Sequence, residues 1–139
     1  MTAYALATLL LVFILGTCLF GLVKGGAAER LSAAIILANH LVGMINQAYG
    51  PNSIVTLANN GVTALVLLGV AVRFASPWLG GVMLLFGLQF TLHAAYIVLQ
   101  RERDMLYVAL SNINIFAISL CLLAGVLSAM RGRRAAAVA

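Results

Sequence analysis

The chain has 139 residues, of which 64% are hydrophobic and 8% are charged, and its mean hydropathy is +1.12. So much apolar material in long runs is typical of membrane helices, and it leaves too few residues for a separate soluble domain. The formal net charge of +5 does not indicate nucleic-acid binding, because no basic face with interleaved aromatic residues carries it.

Five apolar segments follow one another along the chain and are separated by short polar links. The predicted helices cover residues 3–23, 31–49, 54–72, 78–100 and 105–129. At about 1.5 Å per residue, helices of this length match a hydrocarbon core of about 30 Å. Short links make consecutive helices antiparallel, so the predicted fold class is an all-α integral membrane protein, an up-and-down bundle of five transmembrane helices. The second and third segments are the shortest and could form one shallower hairpin, which leaves four spans as the alternative.

The links carry residues that are typical of helix starts. Pro77 follows Ser76, which predicts an N-cap with proline at the first helical position. Asn52 is predicted to cap the third helix, and Asp104 the fifth. Trp78 fits an anchor at the membrane interface.

The basic residues predict an orientation in the membrane. With five spans, one side of the membrane carries Lys24, Arg30, Arg73, Arg131, Arg133 and Arg134, and the other carries Arg101 and Arg103. Because basic residues concentrate on the cytoplasmic side, the N-terminus is predicted outside and the C-terminus in the cytoplasm. Residues 130–139 would then form a basic cytoplasmic tail, and the membrane is predicted to be a bacterial inner membrane.

Polar side chains recur inside these apolar helices. Gln89, His93, Tyr96 and Gln100 are spaced so that they share one stripe of the fourth helix. Depths taken from the helical rise place amides of the other helices at a similar level. The predicted polar cluster, in the outer half of the bundle, comprises Asn46, Asn59, Asn60, Gln89, Asn112 and Asn114. Since polar groups in hydrocarbon need partners, we expect the stripe to face these amides and not lipid.

The cluster has two interpretations, which the sequence leaves open. Its side chains could be hydrogen-bonded links between helices, or they could line a ligand site. His40 and His93 are the two histidines of the chain, and together they could ligate the iron of haem b. His93 and Tyr96 could instead donate to a quinone carbonyl, with Asn112 or Asn114 opposite. Beyond such a haem, no metal site is predicted.

No reaction is indicated, so the protein is not predicted to be an enzyme. The acidic residues Glu29, Glu102 and Asp104 lie at helix ends, where helix capping accounts for them. The hydrolase motifs HExxH and GxSxG do not occur.

Small residues on the fifth helix indicate close helix packing. They recur every four residues and are Ala117, Cys121, Gly125 and Ala129. Such a stripe lets another helix approach, either within the bundle or from a second subunit. The predicted function is a non-catalytic accessory or assembly subunit of a larger membrane complex, with haem b or quinone binding as the alternative.

Overall fold

The computed structural model describes the backbone of residues 3–138 and the side chains of residues 8–136, and it confirms the all-α prediction. Five helices follow one another: α1 (Ala3–Lys24), α2 (Ala27–Ala48), α3 (Ser53–Phe74), α4 (Pro77–Val98) and α5 (Met105–Val138). Each helix packs against its neighbours in the chain, and α5 closes the ring against α1. The fold is therefore an up-and-down helical bundle.

Length and composition make this a small polytopic membrane protein. Among the described residues, α2, α3, α4 and α5 are each long and apolar enough to cross a membrane, and the apolar helix Thr8–Lys24 is shorter. The helices α2 and α3, 22 residues each, are as long as α4. They therefore have the length of full spans and not of a shallow hairpin.

Two helix ends differ from the predicted ones by four residues or more, and the others agree within two; α4, for example, ends at Val98 and not at residue 100. Helix α2 begins at Ala27 and not at residue 31, because the backbone N–H of Gly26 donates to Glu29 Oε2 at 2.9 Å and stabilises an earlier first turn. Helix α5 continues to Val138, through the segment predicted as a tail, because its arginines and alanines are good helix formers. Arg133 also donates to backbone carbonyl oxygens of the α1–α2 turn.

The predicted helix starts are confirmed at the other links. Asn52 Oδ1 accepts from two backbone N–H groups in the first turn of α3, at 2.9 and 3.2 Å. Asp104 Oδ1 accepts from the backbone N–H of Tyr107 at 2.9 Å. Pro77 is the first residue of α4, although the Ser76 hydroxyl makes no capping bond.

The bundle divides into two halves of different chemistry. We call the half next to the α2–α3 and α4–α5 turns the polar half, and the opposite half the aliphatic half. All five helices contribute to the apolar core, which consists of Ile14, Cys18, Ala33, Ile36, Leu67, Val82, Phe86, Ile118, Leu122 and Val126. The core therefore holds the bundle together mainly outside the polar half.

The small-residue stripe of α5 lies partly against α4. A Cβ atom added to Gly125 would come within 2.6 Å of two carbons of the Trp78 indole. A Cβ atom added to Gly81 would lie 3.3 Å from Cys121 Sγ. Gly125 and Cys121 thus allow a close approach inside the chain, while a contact of this stripe with another subunit stays a prediction.

Replacement of Gly125 by alanine should destabilise the bundle, because the new methyl group overlaps the Trp78 ring. We expect Gly125→Ala to lower the free energy of unfolding by about 1–3 kcal/mol. The matched control is Gly69→Ala, whose Cβ enters open space and should cost nothing. Unfolding in mixed micelles titrated with a denaturing detergent, followed by circular dichroism, measures both variants. Equal stability of the two would contradict this packing.

Candidate functional site

A chain of hydrogen bonds joins α4 to α5 in the polar half. Asn114 Nδ2 donates to the backbone carbonyl of Leu85 and to Gln89 Oε1, both at 2.8 Å. Gln89 Nε2 donates to Ser111 Oγ at 2.7 Å and lies 3.0 Å from His93 Nε2. Gln89, His93 and Asn114 are all buried. Gln89 and Asn114, two amides of the predicted polar cluster, are therefore in direct contact.

The direction of these bonds fixes the tautomer of His93. The Leu85 carbonyl only accepts, so the Asn114 atom beside it is the amide nitrogen, which must find an acceptor in Gln89. The other Gln89 atom is then a nitrogen, and it donates to His93 Nε2. The imidazole is accordingly neutral and carries its proton on Nδ1. That N–H donates to the Tyr107 hydroxyl oxygen, 2.7 Å away.

Tyr107 is left with a hydroxyl hydrogen to give. Its oxygen accepts from His93, and among the described residues the hydroxyl has no second partner. The ring is 8% exposed and lies against the rings of His93 and Tyr96, with centroids 5.3 and 4.8 Å apart. The structure therefore holds Tyr107 rigidly with one free donor.

Asp104 orders the turn next to this chain. Its Oδ1 accepts from the Tyr107 backbone N–H at 2.9 Å and from the Tyr96 hydroxyl at 2.7 Å. These two bonds, the backbone one first, stabilise the carboxylate and hold the pKa of Asp104 below its usual value. Arg101 Nη2 lies 3.2 Å from Asp104 Oδ2 and completes an ion pair. The predicted ligand contact Tyr96 thus has a structural partner.

A second set of polar groups joins α2 to α3. Asn39 Nδ2 donates to Thr63 Oγ1 at 2.9 Å and lies 3.3 Å from Asn60 Oδ1. Asn59 Nδ2 returns a bond to the backbone carbonyl of Asn39 at 2.9 Å. Nearer the turn, Asn46 Nδ2 donates to the Asn52 carbonyl and to Thr56 Oγ1, both at 3.0 Å. The hydrogen bonds of each set thus form within its own helix pair.

A cleft of about 670 Å³ lies between the two sets. Its polar walls are formed by Asn39, His40, Gln47, Thr56, Asn59, Asn60, Gln89, His93, Arg103, Tyr107 and Ser111. A second cavity of about 320 Å³ lies at the α3 and α5 starts and shares Thr56, His93, Arg103 and Tyr107 with the cleft. These shared residues form the mouth of the cleft.

Arg103 crosses this mouth. Its Nη2 donates to Ser53 Oγ at the start of α3, at 3.0 Å, and its guanidinium lies 5.6 Å from the Tyr107 ring centroid. In the part of the polar half that the structure describes, this is the one side-chain hydrogen bond between the α2–α3 pair and the α4–α5 pair. No described carboxylate lies within ion-pair distance of Arg103.

The other predicted residues take different places. His40 lines the cleft, but it makes no hydrogen bond with another described residue. Asn112 lies away from the cleft, in a cavity of about 210 Å³ that also contacts His40. The site residues predicted from the sequence did not include Asn39, Tyr107 or Arg103. The spacing of Tyr107, Ser111 and Asn114, at four and then three residues, would have placed Tyr107 on the face of α5 that contacts α4.

Comparison with known proteins adds no relative. No family model, no curated protein and no solved structure matches this chain. The function is therefore inferred from the geometry of the cleft.

Loss of Asn114 should cost stability, because it leaves Gln89 Oε1 without its donor in a buried site. We expect Asn114→Ala to lower the free energy of unfolding by about 1–2 kcal/mol. Asn112→Ala, two residues away on the same helix, is the control, since Asn112 makes no hydrogen bond with a described residue. The same detergent titration distinguishes them. A loss as large in Asn112→Ala would show that the hydrogen bonds of Asn114 are not the cause.

Proposed function

We propose that this protein is a non-catalytic accessory subunit of a larger membrane complex and holds a small amphiphilic ligand in its cleft. The observation that carries the proposal is the cleft between two polar sets, whose hydrogen bonds each form within one helix pair. Polar residues that served only to join helices would close on one another across the bundle. Here they leave about 670 Å³ between them, within the range of about 300–1,000 Å³ typical of ligand pockets.

The residues that line the cleft are better suited to binding a ligand than to catalysing a reaction. The described walls offer amides, hydroxyls and imidazoles, and the charged groups among them are Arg101 and Arg103. Both nitrogens of His93 are already engaged within the protein. His93 would have to leave one of these partners before it could exchange a proton with a bound molecule.

Of the two cofactors that the sequence suggests, the geometry favours quinone over haem b. An iron bond at His93 would first break its hydrogen bond to Gln89 or to Tyr107. A quinone carbonyl requires no such rearrangement, because it could accept the free hydroxyl hydrogen of Tyr107. Quinone binding is thus the second candidate function.

The accessory role is supported by the outer face of α4. Small residues lie exposed on this face, at Gly80, Gly87, Thr91 and Ala95. A Cβ atom added to Gly80 or Gly87 meets nothing within 4 Å. Since membrane helices associate through such small residues, we propose that a helix of another subunit packs here.

The charge distribution supports an orientation with the polar half outside. Six basic residues lie at the end where α1 and α5 finish, against two at the α4–α5 turn.

We expect a fluorescent protein fused after Ala139 to fluoresce in bacterial cells, and alkaline phosphatase fused there to be inactive. Active phosphatase would instead turn the cleft towards the cytoplasm.

Filling the cleft should remove its ligand. Gly43 lines the cleft, and a Cβ atom there meets nothing within 4 Å, so Gly43→Leu adds bulk without a clash. The control is Gly69→Leu, which adds the same bulk to an exposed position in open space.

The measurement is mass spectrometry of small molecules that remain with the protein when it is extracted in polymer-bounded membrane discs. We expect wild type and Gly69→Leu to retain the same molecule, and Gly43→Leu to lose at least about nine-tenths of it. Retention of the same molecules by all three proteins would exclude the cleft as the binding site.

A further inference from the structure

Three hydrogen-bond donors line the second cavity, at the mouth of the cleft. The Tyr107 hydroxyl has a free hydrogen, as the tautomer of His93 requires. Ser53 Oγ accepts from Arg103, and among the described residues its own hydrogen has no acceptor. Arg103 uses one N–H for that bond and keeps the others. The mouth therefore offers donors to an acceptor that the chain does not supply.

The charge at this position is also unbalanced. Arg101, on the same turn, is paired with Asp104, whereas no described carboxylate lies within ion-pair distance of Arg103. The linings of the cleft and of its mouth contain no aspartate or glutamate. A guanidinium beside hydroxyl donors matches an oxyanion, because its planar N–H groups can bind carboxylate or phosphate oxygens in pairs.

A more apolar cavity adjoins the cleft. This cavity of about 210 Å³ shares His40 and Ile115 with the cleft and is otherwise lined by Leu10, Leu11, Ile14 and Asn112. A hydrocarbon chain placed there would contact aliphatic side chains of α1. The mouth of the cleft thus suits a charged head, and the adjoining cavity suits an apolar tail.

We propose that the ligand is an acidic amphiphile, whose carboxylate or phosphate head is bound by Arg103, Tyr107 and Ser53. This inference rests on the proposed binding function and names its ligand class. A neutral quinone would use the Tyr107 hydroxyl but would leave the charge of Arg103 without a counterion. The oxyanion accounts for all three donors.

The test measures binding of radiolabelled dodecanoate to the protein in phosphatidylcholine nanodiscs, with empty nanodiscs as background. Unlabelled dodecyl phosphate and methyl dodecanoate serve as competitors, the first charged and the second neutral. Arg103→Gln removes the charge at the mouth. Arg30→Gln changes the net charge equally, at an exposed position at the opposite end of the bundle.

We expect saturable dodecanoate binding by wild type and Arg30→Gln, and affinity weaker by roughly tenfold or more in Arg103→Gln, because charge-assisted hydrogen bonds are about twice as strong as neutral ones. The methyl ester should not compete. Stronger competition by dodecyl phosphate than by unlabelled dodecanoate would indicate a phosphate-bearing lipid, and the reverse order a fatty acid; either order supports the inference.

Competition by the ester as strong as by the acid, or equal affinity of Arg103→Gln and Arg30→Gln, would overturn it. Absence of saturable dodecanoate binding by wild type would overturn it as well. The proposed function is judged separately: a molecule lost from Gly43→Leu but unaffected by Arg103→Gln would keep the cleft as a binding site and reject the acidic head.

Discussion

The polar groups of this bundle lie on helices apolar enough to cross a membrane, and the hydrogen bonds of the polar half supply the partners that such groups require. Side chains in hydrocarbon need partners within the protein, and here the hydrogen-bonded amides find them within single hairpins. Asn39, Asn59 and Asn60 are satisfied between α2 and α3, and Gln89 and Asn114 between α4 and α5. Among the described residues of the polar half, Arg103 and Ser53 make the one side-chain hydrogen bond between the pairs, and it lies at the mouth of the cleft. The aliphatic half, whose core residues come from all five helices, closes the bundle instead. A cleft in one half of the molecule is the result.

A backbone carbonyl sets the chemistry at the wall of this cleft. The Leu85 oxygen can only accept, so it orients the amide of Asn114, which orients Gln89, which leaves the His93 proton on Nδ1. The Tyr107 hydroxyl oxygen must then accept the hydrogen bond from His93 Nδ1–H, which leaves the hydrogen of Tyr107 free for another acceptor. Reversing any one amide would place two donors or two acceptors face to face. The donor at the cleft is therefore fixed by four hydrogen bonds within the protein.

The fold can be predicted from the sequence, but the side of each helix on which a polar residue lies cannot. Apolar length gives the five helices, and Asn52 and Asp104 confirm the predicted caps. Helical rise predicts a shared level for the amides, yet depth carries no information on rotation about a helix axis. Asn112 and Asn114 have almost the same depth, and only Asn114 reaches α4. The close approach of Trp78 to Gly125 depends on the rotation of both helices, so the interfacial pattern of tryptophan could not reveal it.

The position of Arg103 connects ligand binding with the contact between the two helix pairs. A guanidinium at a membrane interface can keep its charge in water while its stem lies over apolar or aromatic surface, as this one does over Tyr107. It does not need a partner for its own solvation, so its bond to Ser53 is not forced by burial. Since that bond links the two helix pairs across the mouth, a head group bound by Arg103 would be held by both pairs at once. Binding at this point would couple the two hairpins in the half of the bundle where the apolar core does not.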